Sequence, residues 1–140
     1  MEQTHLDRNR EIESFIESIS KERNLKVLDI GAKSGDYHIP NNIFPSVEQW
    51  LAGFRDAEFV LTDSFHACVF AMLFHKPFIV IGNKERGMTR FESFLGQFGL
   101  TDRMVSDYKL GNISYEIDYT HADQHLEELR NKALTYLQSI

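Results

Sequence analysis

The chain has 140 residues, of which 42% are hydrophobic and 26% are charged, and its formal net charge at pH 7 is −6. This length allows a single domain with a real hydrophobic core, and the composition is ordinary for a globular protein. The acidic balance argues against a nucleic-acid partner, and no apolar run approaches the ~20 residues of a membrane-spanning helix.

The cysteine content and the first residues bear on where the protein works. Cys68 is the single cysteine, so an intrachain disulfide is impossible, and residues 1–5 do not have the character of a signal peptide. We therefore expect a cytoplasmic protein. A peripheral position at the inner face of the membrane is the alternative.

The first half of the chain predicts helix, strand, loop and helix in that order. Residues 10–23 carry apolar side chains at helical spacing, which is typical of an amphipathic surface helix. Residues 26–30 follow as a strand, and residues 31–42 predict a loop because they contain two glycines and a proline without periodicity. The sequence from Ser46 has the spacing of a capping box, so a second helix is predicted to begin there and to end near residue 55.

The most informative stretch runs from residue 59 to residue 81. Residues 59–61 and 78–81 are short continuous apolar runs, as expected of strands buried on both faces of a parallel sheet. Parallel strands need a crossover, and residues 64–75 supply one as an apolar helix. Four side chains of this crossover are expected in the core: Cys68, Phe70, Met72 and Phe74.

The second half continues the alternation of helices and strands. Residues 82–90 predict a polar, glycine-containing loop, and residues 91–98 predict a helix that Gly99 ends in the left-handed conformation. A short strand is expected at residues 103–105, and a long amphipathic helix follows, with its N-terminal cap at residues 120–123. This order predicts a single three-layer α/β domain with a mostly parallel sheet over the whole chain.

Polar residues follow the predicted parallel strands. Loops after successive parallel strands open on one edge of the sheet, so residues 31–42, 63–66 and 82–90 could converge there. His66 falls in the first turn of the crossover helix, where free amides and the helix dipole favour an anion. A bound anion would help protonate the imidazole, which suits a general acid that works only with substrate present. The alternative for His66 is a packing or capping role, with its ring bonded to a neighbouring carbonyl.

The other polar side chains of this edge also have structural alternatives. Asp63 and Ser64 are most simply helix caps, although their oxygens could line the same site. Lys84, Arg86 and Arg90 fit a solvated loop as well as they fit a phosphate grip, for which guanidinium geometry is suited. Position alone does not choose between these interpretations.

The pattern of histidines and glycines does not indicate a bound cofactor. No dinucleotide fingerprint or phosphate-loop lysine motif occurs, and the six histidines are scattered and form no HxH pair. His75 lies at the end of the crossover helix, where a cation complements the dipole, so a structural role is expected for it. We therefore expect no metal and no cofactor held by the protein.

Several motifs occur together in this chain as they do in one known family. They are residues 57–66, which end in TDSFH; residues 74–81, which contain KPFIVI; RGxxRFxSxL at residues 86–95; and GLTDR at residues 99–103. Together they resemble the carboxyl-terminal half of the polysaccharide pyruvyl transferase family, most strongly over residues 46–105. The resemblance implies a Rossmann-like domain that forms the second half of a two-domain enzyme of the GT-B type, with the N-terminal domain missing.

The resemblance also implies a reaction. The family transfers the enolpyruvyl carbons of phosphoenolpyruvate to two hydroxyls of a sugar or lipid-linked oligosaccharide of a cell-surface polysaccharide, giving a pyruvate ketal and phosphate. The motif histidine matches His66, which is expected to act as the acid. Many members carry an arginine where this chain has Ser64, so Arg86 or Arg90 is expected to take over its task. The isolated domain is expected to be inactive. The residues expected to bind substrate are Asp63, Ser64, Lys84, Arg86 and Arg90.

Two other functions fit the same residues. A GT-B glycosyltransferase domain that uses a nucleotide sugar is one, because a fold does not choose its donor. A non-catalytic anion-binding module is the other, because half of a cleft can bind an anion but is not expected to catalyse. Binding of phosphoenolpyruvate rather than a nucleotide diphosphate would favour pyruvyl transfer over glycosyl transfer.

Overall fold

The computed structural model describes residues 2–27, 46–82, 87–105 and 114–140, with side chains from residue 10 onward. The chain divides into two compact units, Met1–Glu58 and Phe59–Ile140. The predicted loop at residues 31–42 lies outside the described residues, as does most of the predicted strand at residues 26–30, so both stay predictions.

The described residues of the first unit form two helices. The first, α1, spans Glu2–Arg23 and so begins earlier than predicted. The second, α2, spans Val47–Asp56, and its capping box is confirmed. The Ser46 hydroxyl accepts a hydrogen bond from the Gln49 amide at 3.2 Å, and the Gln49 side-chain oxygen accepts one from the Ser46 amide at 3.0 Å. Two amides that have no partner within the helix are thereby satisfied.

The second unit alternates strands and helices. Its elements are, in chain order, β1 (Val60–Thr62), α3 (Phe65–Leu73), β2 (Phe78–Ile81), α4 (Thr89–Gln97), a 3-10 turn (Thr101–Arg103), β3 (Met104–Val105) and α5 (Thr120–Gln138). The three strands form a small open sheet in the order β1-β2-β3, and all its pairs are parallel. The described residues therefore have a mixed α/β fold, in agreement with the predicted class.

The central strand of this sheet is β2. It pairs with β1 so that Val60 lies opposite Phe78 and Thr62 opposite Val80, and β3 pairs with its other side. Every residue of β2 is buried, with an exposed fraction of at most 7%. This burial is expected of a strand covered on both faces, and it confirms the predicted parallel pair.

The crossover between β1 and β2 is α3. Cys68 and Met72 are buried as predicted, and burial raises the pKa of the Cys68 thiol to about 12. Phe70 is only half-buried, and the prediction for Phe74 is wrong, because 36% of it is exposed beyond the end of the helix. The apolar run of α3 continues past its last turn and has no periodicity that would mark an inner face.

The predicted end of α4 is confirmed, whereas the predicted start of α5 is not. Gly99 has φ +68°, and the Leu100 amide donates to the Leu95 carbonyl at 2.8 Å, which confirms the predicted left-handed end of α4. The predicted cap of α5 within residues 120–123 is wrong. One carboxylate oxygen of Asp118 accepts from both the amide and the hydroxyl of Thr120, at 2.9 and 2.6 Å, so the capping side chain precedes the helix.

The predicted strand at residues 103–105 is shorter, because Arg103 ends the 3-10 turn instead of pairing with β2. Only 1% of Arg103 is exposed, and its guanidinium donates to the carbonyls of Ser114, Glu116 and Tyr115 at 2.5, 3.3 and 3.4 Å. Desolvation by burial lowers the pKa of this guanidinium. Arg103 therefore attaches the segment before α5 to the start of β3.

Candidate functional site

The carboxyl ends of β1 and β2 lie at the same edge of the sheet, because the two strands are parallel. Beyond β1, only Asp63 and Ser64 separate the strand from α3, and α4 begins at Thr89 on the chain that leaves β2. Two helices therefore begin shortly after neighbouring parallel strands. Their first turns are the natural places for an anion, because helix N-termini carry free amides and the positive end of the dipole.

Ser64 is the N-cap of α3. Its hydroxyl oxygen accepts from the Ala67 amide at 3.4 Å, and its own amide donates to the Thr62 hydroxyl at 3.0 Å. The amides of Phe65 and His66 have no acceptor among the residues that the structure describes. Ser64 thus has the capping role foreseen as its structural alternative, and α3 still offers two amides to a ligand.

His66 lies in the first turn of α3, and its side chain is exposed. Its ring meets the Phe65 ring edge-on, with the two centroids 6.1 Å apart. Within the described ranges, no carbonyl is hydrogen-bonded to this imidazole, and its ring contact is with Phe65. The imidazole is open to a ligand at the edge of the sheet.

Arg90 lies in the first turn of α4 and is also exposed. Its guanidinium carbon lies 5.3 Å from the centroid of the Phe65 ring, which is within the range of a cation–π contact. His66 and Arg90 therefore border the same aromatic ring. Two of the predicted site residues, one from each helix, thus contact one ring.

An aromatic cluster fixes the two helix starts relative to each other. The Phe65 ring packs edge-on against Phe91 and Phe94 of α4, at centroid distances of 5.8 and 5.4 Å. The Phe94 ring lies 5.0 Å from Phe98, whose ring in turn meets His125 of α5 at 5.2 Å. The aromatic cluster that packs against this site therefore joins α3, α4 and α5.

Three further predicted residues of this site stay partly or wholly untested. Asp63 is exposed in the turn between β1 and α3. Lys84 and Arg86 lie outside the described residues, so their roles remain predictions. The same holds for the convergence of the loop at residues 31–42 on this edge.

His75 lies at the other end of α3, away from these first turns. Its φ is +54°, its Nε2 lies 2.7 Å from a carboxylate oxygen of Asp123, and its ring is 4.9 Å from that of Tyr119. The Tyr119 hydroxyl donates to the Lys76 carbonyl, and burial raises the pKa of this phenol. These contacts join α5 to the end of α3 and agree with the structural role predicted for His75.

Two residues of this unit are not marked as special by the sequence pattern. Phe65 lies inside the TDSFH motif, but the sequence pattern predicts only a core residue for an aromatic side chain at a helix start. The recurrence of Phe91 and Phe94 three residues apart in the next helix was the available signal for an aromatic cluster. Arg103 stands in the apolar surroundings of Leu100, Met104 and Val105, which was the signal for a buried guanidinium.

The arrangement around Phe65 suits an anionic ligand. It combines an exposed imidazole, a guanidinium and two first-turn amides, and no carboxylate pairs with Arg90 among the described residues. Guanidinium and amide donors bind phosphate and carboxylate oxygens, and a histidine can transfer a proton beside them. The site could therefore hold a phosphate-bearing substrate and supply an acid.

The described part of the chain offers neither a metal site nor a membrane-spanning helix. No three histidine, cysteine or carboxylate side chains there are grouped so that they could hold a metal ion. No helix in those ranges has both the length and the apolar character needed to cross a membrane.

Comparison with known proteins connects the chain to a family. The family model of polysaccharide pyruvyl transferase matches residues 3–85, which is more than half of the chain. The matched range contains Asp63, Ser64, His66 and Lys84 and ends before Arg86 and Arg90. No curated protein and no solved structure gave a significant match.

Proposed function

Because the chain belongs to the polysaccharide pyruvyl transferase family, we propose that it transfers pyruvate as a ketal from phosphoenolpyruvate to a sugar of a cell-surface polysaccharide. The family makes the protein a transferase. The observation that carries the finer proposal is the placement of His66 and Arg90 in the first turns of two helices, against one aromatic ring. That pair supplies both things the reaction needs, a proton donor and a cation for phosphate.

The proposed reaction balances without any cofactor. A proton adds to the methylene carbon of phosphoenolpyruvate, and a sugar hydroxyl forms a bond to C2. The bond from C2 to the phosphate oxygen then breaks, phosphate leaves, and a second sugar hydroxyl closes the ketal. Of the two hydroxyl protons lost, one replaces the proton spent on the methyl group, and the other leaves with phosphate.

The residues have distinct roles in this proposal. His66 gives the proton to the methylene carbon, because its imidazole is exposed beside the amides that would hold the donor. Arg90 neutralises the donor's phosphate, and the first-turn amides of α3 bind the same group or the carboxylate. Asp63, Ser64, Lys84 and Arg86 complete the substrate site in the proposal.

The proposal extends to the setting of the chain. We take it as one Rossmann-like domain, the second half of a GT-B-type enzyme, whose N-terminal half completes the cleft and helps to bind the acceptor, a sugar or lipid-linked oligosaccharide. A cytoplasmic enzyme at the inner face of the membrane would meet such an acceptor. Support for these points comes from the parallel α/β sheet of the described residues and from the family. The chain by itself is then expected to be inactive.

Donor choice is the decisive test of this function. The full-length enzyme that contains this chain is incubated with its acceptor and phosphoenolpyruvate, and phosphate release is measured together with ketal formation by mass spectrometry. We expect both products to appear in equal amounts. Ligand protection against proteolysis gives the comparison: protection by nucleotide diphosphates but not by phosphoenolpyruvate would contradict the proposal and favour glycosyl transfer.

A further inference from the structure

His66 and Arg90 both contact the ring of Phe65, a residue that has no role in the proposed reaction. Its ring centroid lies 5.3 Å from the Arg90 guanidinium carbon and 6.1 Å from the His66 ring centroid. We infer that Phe65 is a positioning residue, which holds the Arg90 guanidinium beside His66 so that both meet the phosphate group of one anionic donor. The inference rests on the proposed function and goes beyond it by naming the residue that assembles the site.

A ring can hold a guanidinium without neutralising it. A carboxylate in the same place would pair with Arg90 and compete with the donor, whereas the face of a ring attracts the cation only through its quadrupole. Among the described residues, no carboxylate lies within ion-pair distance of Arg90. Arg90 therefore keeps its charge and its N–H donors for a phosphate.

Phe65 can position Arg90 only if its own ring is fixed, and the structure meets that condition. The ring is half-buried and packs edge-on against Phe91 and Phe94. Phe91 is itself only 8% exposed, so the inner side of the ring is closed by the core of the unit. The start of α3 therefore fixes the position of the Phe65 ring. The ring in turn positions the Arg90 guanidinium, which comes from α4.

Calorimetric titration of the full-length enzyme that contains this chain with two probes, phosphoenolpyruvate and inorganic phosphate, tests this inference. Phe65→Leu removes the ring but keeps an apolar side chain, and we expect it to weaken binding about threefold to tenfold, the size of one cation–π contact. Phe65→Tyr keeps the ring and should restore binding to within about twofold of the unsubstituted chain. Phe74→Leu is the matched control, because it removes a partly exposed ring beyond the opposite end of α3 and should leave the dissociation constants unchanged.

A double substitution distinguishes positioning from a general loss of structure. If Phe65 acts through Arg90, then Phe65→Leu has no further effect on the dissociation constant once Arg90→Gln is present. Equal losses with and without Arg90 would overturn the inference, and so would unchanged binding by Phe65→Leu. Should the leucine variant fail to fold, NMR of the unsubstituted chain decides: the side-chain protons of Arg90 must show an upfield ring-current shift, and its absence overturns the inference.

The use of two probes distinguishes failure of this inference from failure of the proposed function. Binding of phosphoenolpyruvate that does not depend on Phe65 would remove the inference and leave the proposed function standing. Binding of phosphate that depends on Phe65, without binding of phosphoenolpyruvate, would remove the proposed function and leave the inference. Binding of neither probe would remove both.

Discussion

Asp118 stabilises the start of α5 through its ionised form. One of its carboxylate oxygens accepts from the hydroxyl of Thr120 and from the amide of the same residue. These bonds, the hydroxyl bond foremost, lower the pKa of Asp118 below its usual value of 3.8. Because the folded chain holds this proton less tightly than the unfolded chain does, the stabilisation is complete above about pH 4 to 5 and is lost as the pH falls through the lowered pKa.

Asp118→Asn should remove this pH dependence while keeping an oxygen that can accept. We expect the thermal midpoint of the original chain to exceed that of the variant above pH 5, and the difference to shrink towards zero near pH 2. The measurement is circular dichroism of thermal unfolding across this range. Glu116→Gln is the control, since it removes an exposed carboxylate of the same segment and should follow the original profile. Parallel curves for Asp118→Asn and the original chain would refute the capping role.

The end of α4 depends on a glycine for two separate reasons. Gly99 has φ +68°, a conformation that other residues adopt at a cost, and it lets the Leu100 amide close the helix end on Leu95. A Cβ at this position would also lie 2.8 Å from Cδ2 of His121, at the start of α5. Gly96 lies within the same helix, and the nearest atom to a Cβ there is Thr101 Cγ2 at the ordinary distance of 3.9 Å.

Alanine at these two glycines should therefore have opposite effects. Gly99→Ala is expected to lower the free energy of unfolding by about 1–2 kcal/mol for the left-handed backbone, and further through the displacement of His121. Gly96→Ala should raise it by about 0.5–1 kcal/mol, because alanine is the better helix former. Urea unfolding measures both, and adding His121→Ala should recover only the steric part of the Gly99→Ala loss. A neutral Gly99→Ala would contradict the account of this helix end.

At the scale of the whole molecule, the features that follow local rules were predictable from the sequence. The apolar run of β2 identified a buried parallel strand with its bounds, Phe78–Ile81. Ser46 and Gly99 identified the start of one helix and the end of another, because capping boxes and left-handed glycines depend on neighbouring residues alone. His66 was placed at a helix start for the same reason, since the strand, turn and helix around it are contiguous in the chain.

The features that depend on distant partners were not predictable. Arg103 is buried because carbonyls more than ten residues away accept from it, and backbone carbonyls leave no mark in a sequence. The contact between Arg90 and Phe65 joins two helices, so periodicity within either one does not reveal it. The family match has the same limit here, because it contains His66 and ends before Arg90.

His66 is the residue on which the account of this protein depends most. The measurement is phosphate release from phosphoenolpyruvate by the full-length enzyme, with His66→Ala compared with His75→Asn. His75 is the matched control, because it lies on the same connection at the opposite end of α3, and asparagine tolerates its φ of +54°. We predict that His66→Ala lowers turnover by about 10²- to 10⁴-fold, the usual contribution of a general acid, whereas His75→Asn leaves it unchanged. Unchanged turnover in His66→Ala would contradict the account.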